Sequence, residues 1–360
     1  MIKYIGSKRR LVPVLGEILE RSGARTALDV FTGTTRVAQE FKRRGAHVTT
    51  IDTATYSEIL ARCYIEADGD TVHSEDLTAA LAELNALPGE AGYFTETFCE
   101  KARFFQPRNG ARVDAIRNVL ERDYRDSWLF PLLLTSLMEA ADRVDSTTGV
   151  QMAYLKQWAP RANKPLELRL PELLPGTGRA LRGDARQLVK SLEPVDLAYL
   201  DPPYNQHRYF TNYHIWETLV RWDAPEPYGI AQKRSDARSP ETSSPFNRKR
   251  ELAAALGEVV HDVKARLVML SYNNEAWLSA DELRAVLKPR GFVQTLAFDS
   301  KRYVGAQIGV HDPSGKKVGQ VSHLRNLELL LVAGEREQVE HACRPFEALA
   351  STSMDAAPSS

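Results

Sequence analysis

The 360-residue chain is 43% hydrophobic and 26% charged, and its 47 basic side chains equal its 47 acidic ones; such a chain can bury a substantial core as two domains or as one domain with an insertion. No apolar run approaches the ~18 residues of a membrane span, and the opening Met-Ile-Lys-Tyr lacks a signal-like apolar core, so a cytoplasmic protein with no membrane partner is expected. Cys63, Cys99 and Cys343 are isolated and unpatterned, which speaks against a disulfide framework and against a zinc or other metal site.

In chain order, Lys3-Tyr4-Ile5-Gly6-Ser7-Lys8 precedes a helix whose apolar face is Leu11, Val14, Leu15, Ile18 and Leu19. Ala27 to Phe31 reads as a short strand, followed by the turn Thr32-Gly33-Thr34-Thr35, a helix through Val37, Ala38 and Phe41, and a second strand, His47 to Ile51, that ends on Asp52. Strand, glycine turn, helix, strand and acid is the layout of a nucleotide or nucleoside cofactor site at the carboxyl ends of parallel strands, the acid suiting ribose hydroxyls. One glycine is not the G-x-G-x-x-G of dinucleotide folds, so a pyrophosphate cradle is poorly supported. Asp29 fits either that site or a cap for the following helix.

From about 93 to 178 the texture is helical. Val113, Ile116, Val119 and Leu120 share one face, and Trp128 to Ala140 reads as a buried helix before a proline-rich exit over 160–175. The sheet resumes near Arg179 with a strand that ends on Asp184, which suits a cofactor adenine or a helix cap. The apolar run Val195 to Leu200 then reads as a buried strand, stopped by Asp201-Pro202-Pro203-Tyr204. Two prolines fix φ and remove two N–H donors, so the turn shows carbonyl oxygens with no competing donors. With Asp201 and a proline carbonyl as acceptors and Tyr204 as a stacking face, the corner suits an exocyclic amine on a nucleobase, although a Pro-Pro turn also serves as plain punctuation. Residues 223–250 read as a long mobile loop with little periodicity. Leu267 to Tyr272 is a strand, Ser279-Ala280-Asp281-Glu282 a capping box, and Phe292 to Phe298 with Leu327 to Ala333 an antiparallel closing pair. A largely disordered tail is expected over 336–360, its Ala, Ser, Thr and Pro composition setting in from about 345.

The order of these motifs over roughly residues 1 to 335 resembles the D12 class of N6-adenine DNA methyltransferases. Further matches lie in Asn212 to Glu217 and Leu270 to Glu275, and the resemblance is closest to the restriction–modification branch, through Ala141-Asp142-Arg143-Val144 and Thr147 to Val150 in the insertion. It implies an α/β, doubly wound, Rossmann-like methyltransferase sheet with an antiparallel closing strand and an inserted, mostly helical domain. Residues 1–92 and 179–335 would form the S-adenosyl-L-methionine-dependent domain, and 93–178 the target-recognition domain. It assigns Asp201, Pro202, Pro203 and Tyr204 to catalysis, and Tyr4, Lys8, Asp29, Phe31, Gly33, Asp52 and Asp184 to the cofactor. Lys3, Arg143, Tyr209, Tyr213, Asn273 and Asn274 become candidates for contacting double-stranded DNA. For Arg143 a helix-end salt bridge fits equally well, and for Tyr209 and Tyr213 a core stripe does. A cognate restriction endonuclease would be a partner of such an enzyme.

The mechanism this implies is base flipping, with Asp201 and the Pro202 carbonyl accepting the two amine hydrogens while Tyr204 stacks on the ring. Two departures stand out: Thr35 occupies the place of the family's second turn glycine, where a Cβ narrows the approach to the cofactor, and the net charge is zero. Basic residues do cluster at Lys3, Lys8, Arg9 and Arg10, at Lys233, Arg234 and Arg238, at 248–250, at Lys301 and Arg302, and at Lys316 and Lys317, each a solvated face or part of a cleft for phosphates. Cytosine N4 is the nearest alternative acceptor, since the corner does not distinguish the two amines. An RNA adenine or protein-glutamine acceptor is disfavoured by the N-terminal lysine motif and the helical insertion. A catalytically degenerate DNA-binding module is the alternative of another class.

Overall fold

The computed structural model describes residues 2–347 apart from 5–7, 9, 205, 207, 240–241, 275 and 302–324. Its strands are β1 (Thr26–Val30), β2 (His47–Asp52), β3 (Arg179–Arg182), β4 (Val195–Leu200), β5 (Pro227–Tyr228), β6 (Lys233–Arg234), β7 (Ala265–Asn273), β8 (Phe292–Lys301) and β9 (Arg325–Gly334). Seven of them form one sheet in the order β3-β2-β1-β4-β7-β9-β8, in which β9 runs antiparallel to both neighbours. This is the expected doubly wound sheet with its closing antiparallel pair.

The alternation of side chains explains why both faces are covered. Ala27, Leu197, Tyr199 and Met269 point into one cluster with the helices Val12–Arg21, Arg36–Arg43 and Thr55–Ala61. Their neighbours Leu28, Ala198, Leu200 and Val268 point into a second cluster with the helices Ala185–Ser191, Leu252–Asp262 and Ala280–Leu287. Strands buried on both faces read as continuous apolar runs. The capping box at Ser279 is formed, side chain to Glu282 N–H and Glu282 back to Ser279.

The helices Pro107–Val119 and Phe130–Arg143 of the inserted segment bury Val113, Ile116, Leu133 and Leu137 in the same cluster as Tyr56 and Leu60. Arg117, fully buried, donates from Nε and Nη2 to the carbonyls of Leu219 and Val220 at 2.8 and 3.0 Å. It thereby satisfies the last carbonyls of the helix His214–Arg221.

Two expectations are corrected. The segment 223–250 carries the β5–β6 hairpin and short 3-10 turns. Its anchor is Arg234, 2% exposed and paired with Asp223 at 2.7 Å and Asp236 at 2.8 Å, so this basic residue belongs to no solvated face. The tail expected from 336 begins as a helix, Arg336–Cys343, because Val339, Ala342, Cys343 and Phe346 recur at helical spacing and are buried. Residues 348–360, Arg302, Lys316 and Lys317 lie outside the described residues.

Candidate active site

Strand register aligns the candidate residues. Val30 of β1 lies opposite Ile51 of β2 and Leu200 of β4, and Leu200 lies opposite Leu270 of β7. The next positions, Phe31, Asp52, Asp201 and Ser271, therefore meet at one carboxyl edge, where open α/β sheets bind ligands. A cavity of about 400 Å³ opens there, lined by Tyr4, Lys8, Asp29, Phe31, Gly33, Asp52, Asp184, Asp201, Pro203 and Tyr209. The segment 242–247 also borders it, with Phe246 edge-on to Phe31 at 4.8 Å.

The glycine turn is built by hydrogen bonds. Gly33 N–H donates to Asp52 Oδ2 and Ala54 N–H to Asp52 Oδ1, both at 2.9 Å, so Asp52 ties the turn to the start of the helix Thr55–Ala61. Gly33 has φ +53°, and a Cβ there would fall 3.1–3.3 Å from the Tyr4 ring. Only glycine makes this cradle without strain. Tyr4 in turn stacks on Tyr213 at 4.5 Å and on Tyr209 at 5.2 Å.

Thr35 also has a left-handed φ, +61°, but is fully buried and accepts from Gln39 Nε2 through Oγ1 at 2.8 Å. It does not line the cavity, so the missing second glycine costs backbone strain and leaves the approach to the turn open. Asp29 accepts from Thr32 Oγ1 at 2.7 Å and from Ala38 N–H at 3.2 Å, bracing the following helix as well as bordering the cavity. Burial pushes its carboxyl up to about 7, and burial raises Asp52 too.

At the proline corner, Lys8 Nζ lies 3.0 Å from Asp201 Oδ1 and also contacts Glu328. Ser271 Oγ donates to the same Asp201 oxygen at 3.0 Å, and shares a hydrogen bond of 2.7 Å with Tyr199 OH. Burial opposes the charge on Lys8, yet Asp201 and Glu328 together hold its pKa well above the ordinary value. Ser271 and Glu328 escape a reading of the sequence, although a lone acid in the apolar run 327–333 was a visible signal.

Several candidates lie elsewhere. Pro202 is buried and, unlike Pro203, does not line the cavity. Tyr204 is turned from the cavity, edge-on to Tyr272 at 5.5 Å. Tyr213 is 1% exposed, drawn into the core by its stack on Tyr4. Arg143 donates to the Glu167 carbonyl at 2.7 Å and lies 3.9 Å from Glu139 one turn back, the ion pair that rivalled recognition in the sequence. Asp184 borders the cavity but caps the helix Ala185–Ser191 and pairs with Arg186 at 2.6 Å. Asn274 exchanges hydrogen bonds with the backbone of Leu327 and fastens β7 to β9; neither it nor Asn273 lines the cavity. Lys3 Nζ sits 2.9 Å from Asp142 and 3.3 Å from Asp145, tying the N-terminus to the helical segment. Glu217 accepts from Thr55 N–H at 2.9 Å and from its hydroxyl, joining the helix after the corner to that after β2.

A glycine cradle and an acid at one edge, beside the Asp201-Pro202-Pro203 corner opening on the same cavity, have the layout of a methyltransferase-type site. The model of the D12 class N6 adenine-specific DNA methyltransferases matches residues 4–286. Type II methyltransferase M.NlaIII of Neisseria lactamica is 30% identical over 317 residues, which cover 84% of this chain and 92% of that protein. Type II methyltransferase M.FokI of Planomicrobium okeanokoites is also 30% identical, over 315 residues, 82% of this chain but 48% of its own length. The chain thus spans about half the length of M.FokI, as it does of modification methylase StsI of Streptococcus sanguinis, with 46% covered. A solved putative SAM-dependent methyltransferase from Streptococcus mutans aligns with TM-score 0.33 and 9% identity over 92% of this chain and 50% of that one. The chain belongs to the D12 class of N6 adenine-specific DNA methyltransferases.

Proposed function

We propose that the chain methylates adenine N6 at a specific sequence in double-stranded DNA, with S-adenosyl-L-methionine as donor. The observation that carries this reading is the shared cavity, which the glycine cradle at Gly33 and the carboxylate of Asp201 both border. Its volume of about 400 Å³ falls in the ordinary range for a small-molecule site. The cradle at Gly33 fits a cofactor that approaches the backbone closely, and Asp52 has lone pairs left for ribose hydroxyls. When bound, this cofactor supplies an electrophilic sulfonium methyl to the amine lone pair.

The chain's own part is to position and polarise the amine. Asp201, at the cavity wall, and the Pro202 carbonyl, reached only as the base enters the corner, take the two amine hydrogens, which draws the nitrogen from planarity and localises its lone pair. Asp201 need not act as a strong base, because proton loss can follow transfer, so positioning and fixed electrostatics carry the acceleration. A paired base is unreachable, so it is flipped out; Tyr204 leaves Tyr272 and stacks on it, a contact worth ~1–3 kcal/mol. Residues 93–178 serve target recognition. Arg36 and Arg208 at the cavity bring a neutral chain the local positive charge that phosphates require, whereas Arg221 is paired with Glu217 and Asp236. A cytoplasmic modification methylase acting beside a cognate restriction endonuclease fits the curated relatives, which are named type II methyltransferases and modification methylases.

The test is methyl transfer from labelled S-adenosyl-L-methionine to mixed-sequence duplex DNA, product nucleosides resolved, with Asp201→Ala as control. N6-methyladenine that vanishes in the variant supports the reading. N4-methylcytosine would overturn the base assignment, and no label in DNA would overturn the substrate.

A further inference from the structure

We propose that Glu328 is a positioning residue for the transfer reaction. From β9 it shares the Lys8 ammonium with Asp201, so that protein donors occupy one oxygen of Asp201 and the other is left to the amine. The inference rests on the function proposed above.

The antiparallel course of β9 makes this possible. Its N-terminal end lies at the carboxyl edge of the parallel strands, where Glu328 pairs across from Asn273, two residues beyond Ser271 of β7. The acid and Asp201 meet the same Lys8 ammonium, and the side chains of Lys8 and Glu328 are only 7% and 15% exposed. Among the described residues, the side-chain donors to Asp201 are Lys8 Nζ and Ser271 Oγ, and both meet Oδ1, each at 3.0 Å. Oδ2 is therefore the oxygen presented to an incoming amine.

Charge decides why a second acid helps. An ammonium committed to Asp201 alone in a buried corner would neutralise the acceptor and compete with the amine for it. Divided between two carboxylates, the same ammonium leaves the cluster one negative charge, placed where an amine must be gripped. The charged and titratable groups facing this cluster are Lys8, Asp201 and Tyr204 around Glu328, with Asp29, Tyr199 and Tyr209 around Lys8 and Asp201. Burial raises the Glu328 carboxyl, against the pull of Lys8. Protonating Glu328 at acid pH would hand Lys8 wholly to Asp201 and weaken the grip.

The experiment compares full-length wild type, Glu328→Gln and Glu328→Asp for S-adenosyl-L-methionine affinity by calorimetry and for kcat and KM on duplex DNA from pH 5 to 9. The glutamine variant should bind the cofactor within about threefold of wild type. Its kcat should fall by about tenfold or more, the size of one lost charge-assisted contact, and the acid limb of the wild-type kcat profile should be missing. Aspartate should restore the limb and most of kcat. A folded glutamine variant with wild-type kcat, or with the limb retained, overturns the proposal. So does a loss of kcat that aspartate fails to rescue while the limb stays in place, since packing would explain it. Should the glutamine variant not fold, the aspartate variant decides: kcat and limb near wild type support the shared cation, and a lost limb despite the retained charge overturns it. A wild type inert toward DNA overturns the functional reading and this inference together, whereas an active wild type beside an equally active variant overturns only the inference.

Discussion

Replacing Gly33 with alanine separates the two demands that the turn makes on its backbone. A non-glycine residue in the left-handed region costs about 1–2 kcal/mol, and Gly33 sits there at φ +53°. That cost should appear as lost global stability in urea melts. The added Cβ also meets the Tyr4 ring at 3.1–3.3 Å, so the ring must give by a few tenths of an ångström. Tyr4 is stacked on two other tyrosines, each such contact worth about 0.5–1.5 kcal/mol, and its movement disturbs the cavity wall. The expected result is an S-adenosyl-L-methionine affinity weakened by about tenfold, equivalent to ~1.4 kcal/mol, measured by calorimetry on a still-folded protein. Thr35→Gly is the control: it relieves similar strain, loses the bond from Gln39, and should leave cofactor affinity unchanged. Equal affinities for wild type and Gly33→Ala would refute the cradle, and loss in Thr35→Gly would refute the separation.

Asp29, with its carboxyl pushed up to about 7 by burial, makes a signed pH prediction. Between pH ~4 and ~7 the native state holds a proton that the unfolded state has released, so this group lowers stability as pH rises through that window. Asp29→Asn should flatten that part of the stability-versus-pH curve in urea titrations; an unchanged slope would locate the proton elsewhere. Lys42, buried, donates to the carbonyls of Tyr64, Ile65 and Ala67 at 3.1, 3.0 and 2.7 Å. Lys42→Met should destabilise by on the order of 3 kcal/mol, since each unpaired buried acceptor costs about 1–3 kcal/mol, and a loss below ~1 kcal/mol in the same melts would contradict it. Lys3, already held by Asp142 and Asp145, should not act as a phosphate contact. Lys3→Met is expected to keep the salt slope of DNA binding, and a slope reduced by about one would restore the DNA role.

Local chemistry made the sheet legible. Short strand-like runs of five or six residues, each ended by an acid or a turn, marked β1, β2 and β4, and parallel pairing then placed Phe31, Asp52 and Asp201 at one edge. The Ser279 capping box was readable because its partners are three residues apart. What stayed hidden depends on pairings that spacing does not encode. Lys3 meets Asp142 across 139 positions, and Lys8 meets Glu328 across 320. Tyr204 looked like free aromatic surface because nothing local shows that Tyr272 is its neighbour, whereas for Tyr213 the core stripe that rivalled a DNA contact is what the stack on Tyr4 displays. Asp184 and Arg143 each carried two readings, and the structure displays a helix cap that still borders the cavity for the first and an ion pair to Glu139 for the second. The segment 223–250 lacked periodicity because its order comes from one buried arginine and two aspartates rather than from an apolar stripe.

The N-terminal lysine motif is best understood as a latch rather than as a set of separate ligands. Within six positions Lys3 reaches the helical segment, Tyr4 covers the glycine cradle, and Lys8 bridges Asp201 and Glu328 at the proline corner. If these contacts act together, deleting residues 1–9 should do more than remove a cofactor contact. It leaves Asp201 and Glu328 as unneutralised neighbours, and breaking a buried pair costs about 3–5 kcal/mol. It also exposes the Gly33 turn and frees Asp142 and Asp145. The truncated chain should therefore lose stability, cofactor binding and methyl transfer together, whereas Lys8→Met alone should lose stability and transfer but keep cofactor affinity within a few fold. Calorimetry and denaturant melts on both variants decide the matter. A truncation that matches Lys8→Met in every measurement would reduce the latch to a single lysine.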